Sequence, residues 1–189
     1  TGMVDIAAPR PGLRPCFSLK AAPFWLVHLA AIAGIVWLGF SWSGLLLAVG
    51  LYYARMWFVT AGYHRYFSHR AFKTSRFVQF LLGLGAQTSS QKGVLWWASH
   101  HRIHHKESDL PGDVHSRLLH GFWWSHMGWF LTDVHDATDL RLVPDLVKYP
   151  ELRWLERFPM VPVVLYAAAC LWLGGAHGFV WGFLVSTVL

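Results

Sequence analysis

Apolar residues are gathered into long runs at both ends of the chain, with a polar stretch between them. Pro23 to Phe40 (PFWLVHLAAIAGIVWLGF) has His28 as its only strongly polar member. It comes near the roughly 20 apolar residues that a membrane-spanning helix requires. SWSG at Ser41 to Gly44 predicts a turn, and Leu45 to Tyr63 a second span returning to the first side. A third span is predicted from near Pro159, turned by GGAHG at Gly174 to Gly178, with a fourth starting at Phe179. The pattern therefore predicts an all-α integral membrane fold: two transmembrane helical hairpins with a polar cap between them, the fourth span incomplete at Leu189.

The middle of the chain, 64–158, reads as that cap. Arg76 to Trp97 is apolar in its first half and polar in its second, which predicts a surface-lying or shallow re-entrant helix. GFWWSHMGWF at Gly121 to Phe130 has the aromatic density of a segment at headgroup level. No internal repeat interrupts this order, so 1–189 is read as one domain, incomplete at its C-terminus: a tail (1–22), a first span pair (23–63), the cap, and the third span with the start of the fourth (159–189). The SWSG turn carries no Lys or Arg, whereas Arg10, Arg14 and Lys20 precede the first span and Arg65, Arg70 and Lys73 follow the second. Positive charge collects on cytoplasmic loops, so the N-terminus and the cap are expected on the cytoplasmic side of a multi-pass protein. Arg55, inside the second span, is expected to face the bundle interior with a partner.

Composition agrees with this pattern. The chain is 54% hydrophobic and 14% charged, whereas a soluble domain carries about 25% charged residues. The net charge of +6 is explained by orientation in the membrane, and no nucleic-acid partner is expected. Cys16 and Cys170 form no disulfide framework. A second apolar run follows the first without a small-residue cleavage site, which predicts a retained hairpin rather than a signal peptide.

The candidate chemistry is histidine. Two groupings stand out: His64 and His69 in GYHRYFSHR, and His101, His104 and His105 in HHRIHH. With 12 His in 189 residues, a shuffled chain would show H-x-x-x-x-H about 0.7 times but H-x-x-H-H only about 0.05 times. The second grouping is informative alone, the first only beside it. On a helix, positions i, i+3 and i+4 share a face, so His101, His104 and His105 can serve one metal or two adjacent ones. Imidazole suits Zn, Cu, Fe and Ni. His64 and His69 lie about 140° apart on an ideal helix, so they share a site only if the helix end unwinds, or else serve different metals. The thiolates of a structural zinc site and the H-E-x-x-H of a zinc protease are absent. Oxygen activation against unactivated C–H bonds is the reaction class that best fits such a site beside a bilayer, its hard chemistry carried by a cofactor.

GYHRYFSHR, WWASHHRIHH and GFWWSHMGW resemble the first histidine box, the second histidine box and a nearby aromatic segment of the acyl-CoA delta-9 desaturase family, especially its bacterial members. The resemblance covers nearly the whole chain. It implies a non-haem di-iron centre with His64, His69, His101, His104 and His105 as iron ligands, and Trp97 and Gln91 along an acyl tunnel. It also implies an O2- and electron-dependent reaction that turns a CH2–CH2 unit of a saturated acyl chain, linked to CoA or to a lipid, into a cis double bond for unsaturated fatty acid synthesis. Electrons would come from a separate donor such as a ferredoxin or a cytochrome with its reductase. The family's third box, H-N-x-H-H, does not occur within 1–189, and Ser99 stands where animal members carry an Arg near the coenzyme A phosphates.

A membrane hydroxylase or monooxygenase would use similar boxes, and a non-enzymatic membrane metal-binding or haem-anchoring protein, or an inactive fragment, are further alternatives. His100 is read as a neighbour of the site. His115 is read as either an outer partner, with Asp113 orienting a ligand imidazole, or part of a surface turn. His120, His126 and His135 are read as interfacial, and His28 and His177 as packing residues. Arg65, Arg70, Lys73, Arg76, Arg102 and Lys106 are read as a solvated basic face.

Overall fold

The computed structural model describes residues 19–132 and 135–189, and over these it is helical without strands. Cys16, Arg10, Arg14 and the rest of the Pro-rich tail before Leu19 lie outside the described residues.

The first apolar run forms α1 (Ala22–Leu38), with Pro23 in its first turn, where a missing N–H costs nothing. The chain breaks over Gly39 to Ser41, earlier than the SWSG motif suggests. Gly39 takes a positive φ of 76°, and Ser41 Oγ accepts the Gly44 N–H at 3.1 Å, capping α2 (Trp42–Phe58). Gly44 is thus helical, and its small size seats the Trp181 indole: a Cβ there would meet ring atoms at 2.5 Å. From Phe58 the helix continues without a break as a π-helix over Val59–Ser68.

Arg76 to Trp97 is two helices, not one. Ser75 caps α3 (Arg76–Gln87). The chain then turns through Ser90 and Lys92, both at positive φ (63° and 68°), before α4 (Val94–Glu107). Short helices α5 (Arg117–His120), α6 (Phe122–His126) and α7 (Pro144–Val147) lead to α8 (Pro150–Arg157) and α9 (Met160–His177). Helix resumes as a π segment over Gly178–Val185 and ends in α10 (Ser186–Val188).

Two helical stretches, Trp42–Ser68 and Met160–Val188, are long and apolar enough to cross a membrane, and Ala22–Leu38 is apolar but shorter. The later stretch is interrupted at Gly175, whose φ of 57° and ψ of −148° are not helical. Across that break Tyr166 OH donates to Gly182 O, and Gly178 lies so close to Cys170 that a Cβ would sit 2.4 Å from its carbonyl oxygen. Trp37, Leu46, Trp172 and Leu173 on these helices are largely exposed. An apolar surface of this kind is stable against lipid rather than water, so the chain is membrane-associated.

Arg55, within α2, is 4% exposed. Its guanidinium donates to Ser186 O and Oγ, Thr187 Oγ1 and Thr88 O, and lies 5.0 Å from the Tyr166 ring centroid. The partner expected from sequence is a set of neutral carbonyls, hydroxyls and a ring that joins α2 to α10.

A second core lies around the π end of α2. Tyr63, Phe67, Ala86, Val94, Leu95, Ala98, Leu152 and Leu155 are buried against one another, each large member contributing about 1.5–3 kcal/mol by leaving water. Tyr63 also donates to the Lys92 carbonyl at 2.8 Å. This core fixes the π end of α2 beside α4, and both histidine groups lie on those two elements.

Candidate metal centre

His64 and His69 meet because α2 ends as a π-helix. The His69 N–H bonds to His64 O at 3.1 Å, an i to i−5 step. That pattern, rare and often local to functional sites, returns five-residue neighbours to one side, where an α-helix would leave them about 140° apart. The two Nε2 atoms are 3.1 Å apart. Ser68 Oγ donates back to Tyr63 O at 2.8 Å. Gly62 lies so close to α3 that a Cβ would stand 2.9 Å from Leu82 O.

From α4, His101 Nε2 lies 3.3 Å from His69 Nε2, and His105 Nε2 lies 3.0 Å from His101 Nε2. One ring nitrogen from each of His64, His69, His101 and His105 lies within 4.8 Å of all the others. Metal–imidazole bonds of about 2.0–2.1 Å put neighbouring donor nitrogens on one metal roughly 3 Å apart. The observed 3.0–3.3 Å spacings have that dimension, so the donor set fits a metal ion.

Burial, then crowding by His105, His64, His69 and His104, lowers the His101 pKa to about 3. His105 is lowered by burial and by His69 and His104. His101 is therefore neutral at physiological pH, as metal ligation requires.

His104 is directed elsewhere. Its Nδ1 donates to Asp113 Oδ2 at 3.1 Å, and His104, Asp113 and His115 form a second set of donors within 4.8 Å of one another. The H-x-x-H-H face therefore divides: His101 and His105 join the first box, while His104 stands beside them with its ring 5.6 Å from that of His105. Burial raises the Asp113 pKa, but hydrogen bonds from Asp109 N–H, His104 and His115 N–H outweigh it and bring the carboxyl below its ordinary value.

Trp97 stacks on His101 at 4.6 Å and on Tyr63 at 5.2 Å, and its Nε1 donates to Gln91 Oε1 at 3.3 Å. Both residues implied for the substrate line a pocket of about 210 Å³ with Trp96, His100, His101, His115 and Trp129. His100 faces the pocket rather than the imidazole cluster, its Nδ1 donating to Trp96 O at 2.9 Å.

The fatty acid desaturase family model matches residues 40–189. The chain belongs to the fatty acid desaturase family. Similar proteins include an sn-1 stearoyl-lipid 9-desaturase of Anabaena variabilis, 32% identical over 82% of this chain and 58% of that protein. An acyl-CoA 5-desaturase of Anemone leveillei is 35% identical over 79% of the chain and 47% of the relative. A hex-5-enoyl-[acyl-carrier protein] acetylenase of Moorena producens is 31% identical over 82% and 54%. The chain spans about half the length of the curated relatives it matches.

Three supports of this desaturase-family site escape the sequence reading. Glu156 of α8 caps α4 from outside: its Oε2 accepts the Leu95 and Trp96 N–H groups at 2.8 and 3.1 Å, and Oε1 accepts from Thr138 Oγ1 at 2.6 Å. It acts where Gly93, the N-cap residue, has no side chain. Asp145 receives Arg102 and Arg70. Trp129 stacks on Trp96 and lies 5.0 Å from the His115 ring.

Arg102 is a correction to the solvated basic face: its side chain is 17% exposed and fully engaged in hydrogen bonds. Arg76, by contrast, is 62% exposed in its pair with Glu151, and Lys106 is 80% exposed.

A Cβ on Gly93 would stand 2.1 Å from Glu156 Oε2. Gly93→Ala should therefore displace the cap and cost about 1–2 kcal/mol, read as a lower Tm of the detergent-purified protein. An unchanged Tm would contradict the capping role.

Proposed function

We propose that this chain carries the histidine boxes of a membrane fatty acyl desaturase, which introduces a cis double bond into a saturated acyl chain. The observation that carries the proposal is the cluster of imidazole nitrogens spaced 3.0–3.3 Å apart against a pocket lined by Trp97 and Gln91. His64, His69, His101 and His105 would hold one iron, and His104, on the adjoining face, would contribute to a second. Bound iron would supply oxygen activation, the two hydrogens removed from a CH2–CH2 unit together with two electrons and two protons reducing O2 to two waters. The remaining roles belong to the chain's own side chains. The rings of Trp97, Trp96 and Trp129 exclude water and hold the acyl segment beside His101. The Gln91–Trp97 hydrogen bond sets the orientation of the indole, and His101 stays neutral.

The apolar runs form two hairpins, with the imidazoles at the cytoplasmic surface and the indole-rich segment 121–130 at headgroup level. Electrons come from a separate donor such as a ferredoxin or a cytochrome with its reductase. The relatives' names cover lipid-linked, CoA-linked and carrier-protein-linked chains, so the proposal specifies the acyl chain and leaves its carrier open.

The test is expression of the protein in cells lacking their own desaturase, followed by lipid analysis. New cis-monoenoic acyl chains are expected. Hydroxylated chains would instead support the monooxygenase reading, and unchanged lipids with zinc in the purified protein would overturn the proposal.

A further inference from the structure

We infer that Arg102 is a positioning residue, a guanidinium tie that holds His69 in register with His101 and so sets the nitrogen spacing between the two histidine boxes. The inference rests on the metal-centre reading above. Arg102 sits between His101 and Ile103 on α4. Its Nε donates to Ser68 O at 3.2 Å and its Nη2 to Phe67 O at 2.7 Å, the carbonyls of the two residues before His69. The last carbonyls of a helix have no partner within it, and here the π end of α2 receives one from the other box. The opposite edge of the guanidinium is held by Asp145, Nη1 to Oδ1 at 2.8 Å and Nη2 to Oδ2 at 3.1 Å, with Nη1 also donating to Leu142 O at 2.7 Å.

A planar fork can engage a carboxylate and three separate carbonyls at once, whereas an ammonium is a point donor on a flexible stem. His69 is also bracketed from its other side, since Arg70 reaches the same Asp145 at 2.6 Å. One carboxylate thus fixes the residue after His69 directly and the residues before it through Arg102. The consequence falls on the 3.3 Å separation of His69 Nε2 from His101 Nε2. That separation crosses from one helix to another, and no shared helix fixes it.

The test uses the protein in detergent as wild type, Arg102→Lys, Asp145→Asn, His69→Ala and the double variant Arg102→Lys/His69→Ala. Each is titrated with cobalt(II), followed by its ligand-field absorption, and melted without metal. Arg102→Lys is expected to weaken cobalt binding about 10–100-fold. Adding His69→Ala to it should cost little more than His69→Ala alone, because both changes act at one ligand and coupled sites are not additive. Should Arg102→Lys fail to fold, Asp145→Asn keeps the guanidinium and is expected to weaken binding in the same direction. Wild-type-like cobalt affinity in a folded Arg102→Lys or Asp145→Asn protein would overturn the inference. So would losses from Arg102→Lys and His69→Ala that add in full, because Arg102 would then support the fold and not His69. A wild-type protein that takes up no cobalt would overturn the metal-centre reading itself, and the inference with it.

Discussion

Under the proposed function, replacing His101 by alanine is expected to remove desaturation and to strip metal from the first donor set. His101 links the two boxes: its Nε2 lies 3.3 Å from that of His69 and 3.0 Å from that of His105. Its ring also stacks on Trp97 at 4.6 Å, which joins the donor set to the pocket wall. Loss of a residue that merely orients a ligand costs about 10–100-fold in metal affinity or activity, so loss of a proposed ligand should exceed about 100-fold. The fold should survive. α4 is held by Val94, Leu95 and Ala98 in the core, and alanine is the best helix former. Metal analysis and acyl-chain analysis check the first part, and the Tm of the metal-free protein checks the second. A His101→Ala protein that keeps its metal would remove His101 from the ligand set.

Asp113→Asn should have the second largest effect, through His104. Asp113 is 1% exposed, and its carboxylate accepts from His104 Nδ1 at 3.1 Å, Asp109 N–H at 3.1 Å and His115 N–H at 3.2 Å. An ionised carboxylate only accepts, so it fixes the proton on His104 Nδ1 and leaves the Nε2 lone pair available. Asparagine has nearly the same shape but turns one accepting atom into an NH2, which sets donor against donor at one of these contacts. The expected result is a loss of about 10–100-fold in metal affinity together with about 1–3 kcal/mol of stability from the unpaired buried group. Metal titration and thermal unfolding of the same preparation separate the two. A drop in Tm with undiminished affinity would make Asp113 a loop-folding residue only.

The long apolar helices Trp42–Ser68 and Met160–Val188 were legible because length and apolar composition are one-dimensional properties of a sequence. The second histidine box was legible because i, i+3 and i+4 share a helix face whatever surrounds them. The first box was legible only beside the second, and its geometry stayed open, since five-residue spacing looks divergent on an α-helix. Only the i to i−5 bond from His69 N–H to His64 O resolves it. The division of the second box was equally hidden: what separates His104 from His101 and His105 is a carboxylate nine residues away in sequence.

Long-range polar partners left even less trace. Nothing in HHRIHH distinguishes Arg102 from the exposed Arg and Lys residues around it until Asp145, 43 residues on, supplies the other edge of the fork. Glu156, 61 residues after Leu95, likewise caps a helix it is not part of. The signals that were present are local ones. Gly93 before α4 marks a close approach, and the polar SSQKG run is where Arg76 to Trp97 divides into two helices.

Metal analysis of the purified protein, combined with X-ray absorption at the iron edge, reads out the proposed imidazole-bound iron itself. Iron with a shell of imidazole nitrogen neighbours is expected, a shell that is lost or reduced in His101→Ala. Protein without iron above background, or iron whose nitrogen shell is the same in wild type and His101→Ala, would contradict the proposal.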